Sequence, residues 1–316
     1  MRRKSARRLV AAAVILALLA FLHFVSLGKR NEFWSALQNY GHVPLFAVLT
    51  VSLFHFWRNT IQVPRTFLYP IAFGSAMILG LLSEIAQVTG PRDAELSDLL
   101  RDGLGSAGAL ALMFSHDRIL KLSRTIRFLA LLTGVVLLLA PLTRVIVAAV
   151  TLTHRNKNFP TICSFESLLE MRGLSVDNAY AERVPPPPRW KKASGRSVAA
   201  ITFHNADDWP RFGWPNPYPD WRGSDTLTFE VWSDIDSSRP IFVRINDLDH
   251  NHASTDRFGR RIEITPGATT VSIPLQSVAQ APQGRTMRMD RIADLTVFAE
   301  RNAEEFMLYF DNFRLE

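Results

Sequence analysis

A polar stretch of the sequence, SEIAQVTGPRDAELSDLLRDGLG at residues 83–105, lies between two apolar segments. If both flanks are helical, Glu84 and Gln87 share one helix face because they are three residues apart. Asp98 and Asp102 share another face because they are four apart. Ionisable side chains at the ends of membrane-length helices cost free energy and often mark a functional site. The spacing therefore points to acid–base chemistry at one face of a membrane.

Two further side chains can join this polar stretch. His42 opens another apolar segment on the same side of the membrane, and Arg92 lies in the loop between the flanking helices. In a catalytic interpretation Glu84 or Asp98 is the general base, His42 is its acid partner, and Arg92 holds a phosphate. No nucleophile motif or P-loop accompanies them. The candidate polar site consists of His42, Glu84, Gln87, Arg92, Asp98 and Asp102.

A structural explanation is open for each of these residues taken singly. Asp98 can cap its helix, Glu84 can pair with Arg92, and the small residues of GLGSAGA at 103–109 can let helix backbones approach closely. One salt bridge does not explain a Glu, a Gln, two Asp and a His at one level. The set as a whole therefore favours a functional site.

Apolar helices must position these residues. A bilayer core needs roughly 17–25 apolar residues per helix, and on that basis the sequence predicts five membrane spans, at residues 10–27, 41–57, 67–88, 98–114 and 128–152. No small-x-small cleavage pattern follows the first span, so we expect it to remain as an uncleaved helix.

Basic residues predict the orientation of these spans, because Lys and Arg are retained on the cytoplasmic side. Eleven lie in the leader MRRKSARR, at Arg58 and Arg65, and in SHDRILKLSRTIR, against three on the other side. We expect a multi-pass inner-membrane protein with a cytoplasmic N-terminus and an extracytoplasmic C-terminal domain. The net charge of +7 reflects mainly this topology, and a nucleic-acid partner is not indicated.

The second half of the chain changes to short runs in which apolar and polar residues alternate. Such runs are typical of half-buried strands, and there are seven: AAITFH, TLTFEVWS, IFVRIND, RIEIT, TTVSIPL, ADLTVFAE and FMLYFDNFRL. The sequence predicts an α-helical membrane domain at 1–153 and an all-β antiparallel sandwich at 154–316. The prolines at 185–188 predict a stiff loop inside the sandwich, and the lone Cys163 cannot form an intramolecular disulfide.

Residues 247–261 are unusually rich in charged and histidine side chains for this sandwich. Sugar sites combine planar hydrogen-bonding groups with an aromatic ring, and a Pro-rich loop nearby contains tryptophans. The candidate carbohydrate-binding residues are Trp209, Trp214, Trp221, Asp247, His250, His252, Asp256 and Arg257. Two alternatives remain open. One is an internal Asp256–Arg257 salt bridge with tryptophans in the core, and the other is a zinc site at His250 and His252, which lacks an identified third ligand.

Residues 38–114 resemble the VanZ-like membrane family. The resemblance is carried by NYGHVPLFAVL, SEIAQ and GPRDAELSDLLRDGLGSAG, in which His42, Glu84, Gln87, Arg92, Asp98, Gly103 and Gly105 match the family pattern. The sequence departs from that pattern at Gln38-Asn39, Phe46 and Asp102, where members commonly have Asp-Lys, Tyr and Asn. The resemblance implies a cell-wall context related to glycopeptide resistance, without naming a reaction.

Residues from about 165 to 316 resemble the galactose-binding-like jelly rolls of carbohydrate-binding modules. The similarity is carried by DWRGSDTLTFEVWS, by INDLDHNHASTDRFGRRIEITPGATTVSIPL and by the terminal YFDNFRLE. It implies a jelly-roll fold and a carbohydrate partner. It also implies that Asp311 supports the last strand or a structural calcium, and no other cofactor is expected.

These features predict a protein that handles envelope glycan. In the first hypothesis the jelly roll holds envelope polysaccharide or lipid-linked sugar while the helical domain engages membrane lipid. The alternative is a membrane-embedded acid–base enzyme that acts on lipid-linked envelope precursors. A transporter is less favoured, because five spans with few intramembrane charges make a poor pathway.

Overall fold

The computed structural model describes residues 13, 32–88, 96–191, 193 and 195–316. The chain divides into two units, Met1–Ala149 and Val150–Glu316. We call them the helical unit and the sandwich unit. The predicted first span at 10–27 falls almost wholly outside the described residues, as does Arg92 in the loop at 89–95.

Five helices lie within the described residues between 32 and 158, two before that loop and three after it. They are α1 (Glu32–Thr60), α2 (Arg65–Val88), α3 (Leu96–His116), α4 (Arg124–Leu139) and α5 (Leu142–Asn158). The predicted span at 128–152 is thus two helices, interrupted at Ala140 and Pro141. Proline lacks a backbone N–H and clashes with the preceding turn, so a helix commonly ends before it.

Three stretches are long and apolar enough to cross a membrane among the residues the structure describes: Glu32–Thr60, Arg65–Ile85 and Arg124–Asn158. The predicted count of five is therefore not confirmed. The fourth predicted span lies in α3, whose first turns carry Asp98, Arg101 and Asp102. Those charges lower the hydropathy of a helix that is only 21 residues long.

Glycines set the packing of the helical unit. A Cβ built on Gly105 of α3 would lie 2.1 Å from the carbonyl oxygen of Val43 in α1, so only glycine fits. A Cβ on Gly134 of α4 would lie 2.9 Å from the carbonyl oxygen of Gly108. The expectation that small residues at 103–109 serve close helix packing is met at Gly105 and Gly108. The α1, α2 and α3 contacts bury Phe46, Leu49, Leu53, Phe54, Leu68, Ala72, Ala76 and Leu110.

Eleven strands form the sandwich unit in the part of the chain that the structure describes. They are β1 (Thr161–Cys163), β2 (Ser175–Asp177), β3 (Ala179–Val184), β4 (Val198–Phe203), β5 (Arg211–Pro215), β6 (Thr226–Ser233), β7 (Arg239–Asp247), β8 (Phe258–Ile264), β9 (Gly267–Pro274), β10 (Ile292–Phe298) and β11 (Phe306–Leu315). Two short helices, α6 (Leu168–Arg172) and α7 (Leu275–Ala279), lie between them.

The strands form two antiparallel sheets. The first has the order β3-β4-β11-β6-β9 with β1 beside β11, and the second has the order β2-β5-β10-β7-β8. From β4 onward the chain passes repeatedly from one sheet to the other, which is the crossover pattern of a jelly-roll sandwich. The predicted antiparallel sandwich is confirmed.

Alternation along the strands sets what faces the core. In β7 the side chains of Ile241, Val243 and Ile245 are fully buried, whereas Phe242 and Arg244 between them point to the outer face of the second sheet. All seven alternating runs of the sequence are strands. Some strands were not predicted because they are short or lack a strict alternation. These are β1, β2, β3 and β5.

Candidate functional site

In the helical unit, three of the predicted residues meet around one imidazole. The Nδ1 atom of His42 lies 2.9 Å from Oδ1 of Asp102, and its Nε2 atom lies 3.7 Å from Oδ2 of Asp98. Asp98 and Asp102 are four residues apart on α3, as the spacing predicted. All three side chains are buried. His42, however, lies ten residues inside α1 rather than at the start of a helix.

Two further groups complete this cluster. Arg101, which the sequence interpretation left out of the site, hydrogen bonds through Nη1 to Oδ1 of Asp98. The i,i+3 spacing of the two residues was the available signal. Glu84 of α2 is buried and close enough to His42 and Asp102 to interact with both electrostatically. We call His42, Glu84, Asp98, Arg101 and Asp102 the imidazole cluster. Gln87 lies in α2, but its side chain is outside the described part of the structure.

The chemistry of the imidazole cluster follows from its charges. Both ring nitrogens of His42 face a carboxyl oxygen, and Arg101 pairs with one of the same carboxyl groups. Such an arrangement can hold and pass protons, because protonation of the imidazole or a carboxyl group reduces the buried negative charge. The same contacts also tie α1 to α3, so geometry alone is compatible with a structural role.

In the sandwich unit, the two predicted carboxylates are held by a residue that the sequence did not single out. Arg285 donates to both oxygens of Asp247 at 2.6 and 2.8 Å, and its Nε atom donates to Asp256 at 2.5 Å. The backbone N–H of Arg288 donates to Asp247 at 2.7 Å, and the backbone N–H of Asn251 donates to Asp256 at 2.8 Å. Arg285 also holds the pKa of Asp256 at about 2, below its ordinary value. We call this set the Arg285 network.

The Arg285 network gives two residues of the predicted sugar site, Asp247 and Asp256, a structural role. Asp247 and Asp256 are buried, and their carboxylate oxygens accept hydrogen bonds from Arg285 and from backbone N–H groups. These bonds hold the loop after β7 in place. Asp256 does form an internal salt bridge, but its partner is Arg285 and not Arg257. No sequence signal links Arg285 to carboxylates 29 and 38 residues away.

The two histidines of the same loop also have a structural setting. Nδ1 of His250 lies 2.8 Å from the backbone oxygen of Asp256, and the His250 and His252 rings lie 5.5 Å apart. Within residues 32–88, 96–191, 193 and 195–316, no three or more His, Cys, Asp or Glu side chains come together as a metal-holding group.

Two of the three predicted tryptophans belong to the core. Trp221 is fully buried and donates from Nε1 to the carbonyl oxygen of Tyr218 at 2.7 Å. Trp214 is also buried, with its ring 4.7 Å from that of Phe313. Neither ring face is open to a sugar, because each packs inside the sandwich. Trp209, by contrast, is 36% exposed.

Trp209 is part of an aromatic group on the outer face of the second sheet. Phe242 of β7 and Phe298 of β10 are cross-strand partners whose rings stack at 5.2 Å with an interplanar angle of 11°. Trp209 contacts both rings edge-on, at 5.8 and 5.4 Å. The guanidinium of Arg301 lies 6.0 Å from the Trp209 ring. We call Trp209, Phe242 and Phe298 the aromatic group.

Polar side chains continue this outer face beside the aromatic group. Arg244 of β7 donates to Asp294 at 3.2 Å and to Thr296 at 3.4 Å, and Thr296 donates to Asp294 at 2.7 Å. Arg257 lies just before β8 in an extended conformation. Sequence reasoning named Trp209 and Arg257 but missed Phe242, Phe298 and Arg244, although each sits at an outward position of an alternating run.

Asp311 lies at a cavity of about 330 Å³. Oxygen-bearing groups predominate in its lining, which consists of Asn158, Thr161, Ser164, Glu166, Gly195, Asp311 and Asn312. Oε1 of Glu166 accepts from the backbone N–H groups of Arg196 and Ser197 at 2.7 and 2.9 Å. A Cβ at Gly195 would lie 2.0 Å from that oxygen, so the carboxylate fits only beside glycine. This donor set suits a hard cation such as Ca²⁺.

Comparison with known proteins gives no family assignment. No family model matches the chain. No curated protein matches it either.

Solved structures of similar fold cover about half of the chain. A family 11 carbohydrate-binding module from Clostridium thermocellum, in complex with a beta-1,3-1,4-mixed-linked tetrasaccharide, is 15% identical with a TM-score of 0.38, over 49% of this chain and 93% of the module. An exo-beta-agarase is 15% identical with a TM-score of 0.40, over 49% of this chain and 24% of the agarase. A family 30 module of a Clostridium thermocellum cellulase is 13% identical with a TM-score of 0.32, over 45% of this chain and 92% of the module.

Proposed function

We propose that this protein is a membrane-anchored glycan-binding protein, and that its sandwich unit binds sugar on the outer face of the second sheet. One observation carries the proposal. The stacked Phe242 and Phe298 rings, with Trp209 against them, lie on the same solvent-facing side as the Arg244, Asp294 and Thr296 network. Sugar rings need both an apolar surface and planar hydrogen-bonding groups, and this face offers both.

The spacing of this face suits a chain of sugars. Phe242, Arg244 and Asn246 point the same way along β7, because every second residue of a strand shares a face. Successive members are about 6.7 Å apart along the strand, which is close to the size of one sugar ring. A glycan that runs along β7 can therefore place one ring on the aromatic group and the next beside Arg244.

A pair of matched variants tests this proposal. Trp209→Ala in the purified full-length chain should weaken retention in gels that contain a mixed-linked β-glucan, agarose or polygalacturonate by about fivefold, because an aromatic contact is worth about 1 kcal/mol. Tyr180→Ala removes another exposed aromatic, on β3 of the first sheet, and should leave retention unchanged. Equal retention of Trp209→Ala and the unaltered chain on every polymer that is bound would contradict the proposal.

The membrane part of the proposal is supported by the three apolar helical stretches and the distribution of Lys and Arg. These features favour an extracytoplasmic sandwich unit that meets envelope polysaccharide or lipid-linked sugar. Alkaline-phosphatase fusions after residue 152 should be active, and fusions after residue 114 should be inactive. The reverse pattern would place the sandwich unit in the cytoplasm.

A second candidate function is acid–base chemistry at the imidazole cluster. The observation that favours it is the position of His42 between Asp98 and Asp102, at 3.7 and 2.9 Å. In this scheme the imidazole passes a proton to or from a lipid-linked substrate, and the carboxylates stabilise its charged form. Glu84→Gln and Asp98→Asn, which neutralise carboxylates of the imidazole cluster, test this scheme.

We also propose that Asp311 and Glu166 hold a structural Ca²⁺ in the cavity that they line. Carboxylate, amide and hydroxyl oxygens are the donors that this ion takes. Ca²⁺ should raise the melting temperature of the sandwich unit in the full-length chain, and Asp311→Asn should abolish that effect. Asp290→Asn, on the surface of the same unit, is the control. A melting temperature unaffected by chelator would count against the ion.

A further inference from the structure

The charges on the outer face of the second sheet do not balance. Arg211 pairs with Asp177 at 2.6 Å, and Arg261 pairs with Glu263 at 2.7 Å. Arg244 shares Asp294 with Thr296. Arg257 makes no hydrogen bond or ion pair with any residue that the structure describes. This leaves two guanidiniums beside one carboxylate next to the aromatic group.

Arg244 and Arg257 are neighbours on this face. Ile245 pairs with Phe258 and Arg244 pairs with Gly259 in the β7–β8 ladder. Continuing this register sets Asn246 opposite Arg257, on the face that carries Arg244. Partial burial, together with the positive charge of Arg244, lowers the pKa of Arg257. Like charges this close repel each other, and a bound anion would relieve that repulsion.

Arg244 has hydrogen-bonding capacity left over. Its Nη2 atom serves Asp294 and Thr296, whereas its Nε atom is buried and has no hydrogen-bond partner among the described residues. A buried donor without a partner costs about 1–3 kcal/mol. There is also room for a ligand: a Cβ built on Gly259, opposite Arg244, meets nothing within 4 Å.

We infer that the sugar bound on this face is acidic, and that Arg244 and Arg257 hold its carboxylate or phosphate group while the aromatic group stacks on the adjoining ring. This inference rests on the proposed function and narrows its substrate class. A guanidinium matches the two oxygens of such a group with paired N–H donors. A neutral polymer would leave two guanidiniums beside the single carboxylate of Asp294.

The test compares a polymer with its neutral form. Polygalacturonate and its methyl ester share a backbone and differ in charge, and a sugar-phosphate polymer supplies the phosphate alternative. The full-length chain in detergent should bind one of the anionic polymers at least tenfold more tightly than the ester. Added NaCl should weaken that binding.

Two charge-matched variants locate the effect. Arg257→Gln should lower the affinity for the anionic polymer at least tenfold, at an unchanged melting temperature. Arg260→Gln should not, because Arg260 lies on the opposite side of β8 and donates to Ser272. The first variant removes the inferred ligand contact, and the second removes the same charge three residues further along the chain, in β8.

The outcomes separate this inference from the proposed function. Equal affinity for polygalacturonate and its ester, lost in Trp209→Ala but not in Arg257→Gln, would overturn the acidic ligand and leave glycan binding standing. Retention of no polymer, charged or neutral, would overturn both. Binding to phosphatidylglycerol vesicles that depends on Arg257, without binding to any polymer, would assign the pair to a lipid surface instead and overturn both as well.

Discussion

Two polar clusters of this chain use carboxylates in opposite ways. In the Arg285 network, Asp247 and Asp256 share one guanidinium, and backbone N–H groups occupy further oxygens. In the imidazole cluster, Asp98 and Asp102 converge on His42, and Arg101 pairs with Asp98. The first set holds a loop in place. The second gathers carboxyl groups around an imidazole that can accept or release a proton.

The comparison shows that the residue types alone do not mark a site. Both clusters were candidate sites in the sequence because each includes a histidine and several acidic residues that lie within a short segment. They differ in what the carboxylates contact: a guanidinium and backbone N–H groups in the Arg285 network, and above all the ring nitrogens of His42 in the imidazole cluster. Removing a member of the Arg285 network should therefore lower stability, and removing a member of the imidazole cluster should lower function if the imidazole exchanges protons.

The largest expected effect follows from breaking the Arg285 network. Arg285→Met leaves the fully buried side chain of Asp247 without its guanidinium, so the sandwich unit should lose about 3 kcal/mol of unfolding free energy. Denaturant unfolding of the full-length chain, followed by tryptophan fluorescence, measures this. Arg288→Met removes a surface guanidinium beside Asp290 and should change stability by less than about 0.5 kcal/mol. Equal effects of the two variants would contradict a structural role for the Arg285 network.

A smaller effect is expected in the acid dependence of stability. The pKa of Asp256 is about 2 in the folded chain, against about 3.9 when unfolded. A lowered folded pKa contributes stability above the unfolded value, and that stability is lost as pH falls from about 4 to about 2. Melting temperatures across this window should fall more steeply for the unaltered chain than for Arg285→Met. Parallel curves would show that Arg285 does not set this pKa.

The smallest effect on stability is expected in the imidazole cluster. Glu84→Gln and Asp98→Asn keep side-chain shape and remove buried negative charge, so membrane abundance should stay near normal. If the imidazole cluster is a functional site, each variant should abolish the cellular phenotype of the protein, and the double variant should be no worse than either. A full phenotype in both single variants would leave helix packing as the role of these residues.

Much of the fold was predictable because alternation and apolar length are local signals. The strands β4 and β6 to β11 follow directly from period-two runs, and α1, α2 and α4 from apolar stretches. Pro141 was a local signal too, and it divides the predicted last span. By contrast, β2 has only three residues and β5 has the sequence RFGWP. They are strands only because the sheet supplies partners: β2 pairs with β5, and β5 pairs with β10.

The sites were harder to predict because they depend on contacts between distant residues. The 3.6-residue period of α3 predicted that Asp98 and Asp102 share a face, and they do. Nothing local shows that Arg285 reaches Asp247 or that Phe242 stacks on Phe298, since those contacts come from sheet register and loop closure. Trp214 and Trp221 had the same composition signal as Trp209, and only the packing of the core separates them.

The most direct test of glycan binding on the second sheet is oxidative footprinting of the tryptophans by mass spectrometry. In the free full-length chain Trp209 should be oxidised readily, whereas the buried Trp214 and Trp221 should not. Saturation with the polymer that the chain retains most strongly should protect Trp209 and leave the other two unchanged. Retention of a polymer with Trp209 still fully oxidised would place the sugar elsewhere and contradict the proposed site.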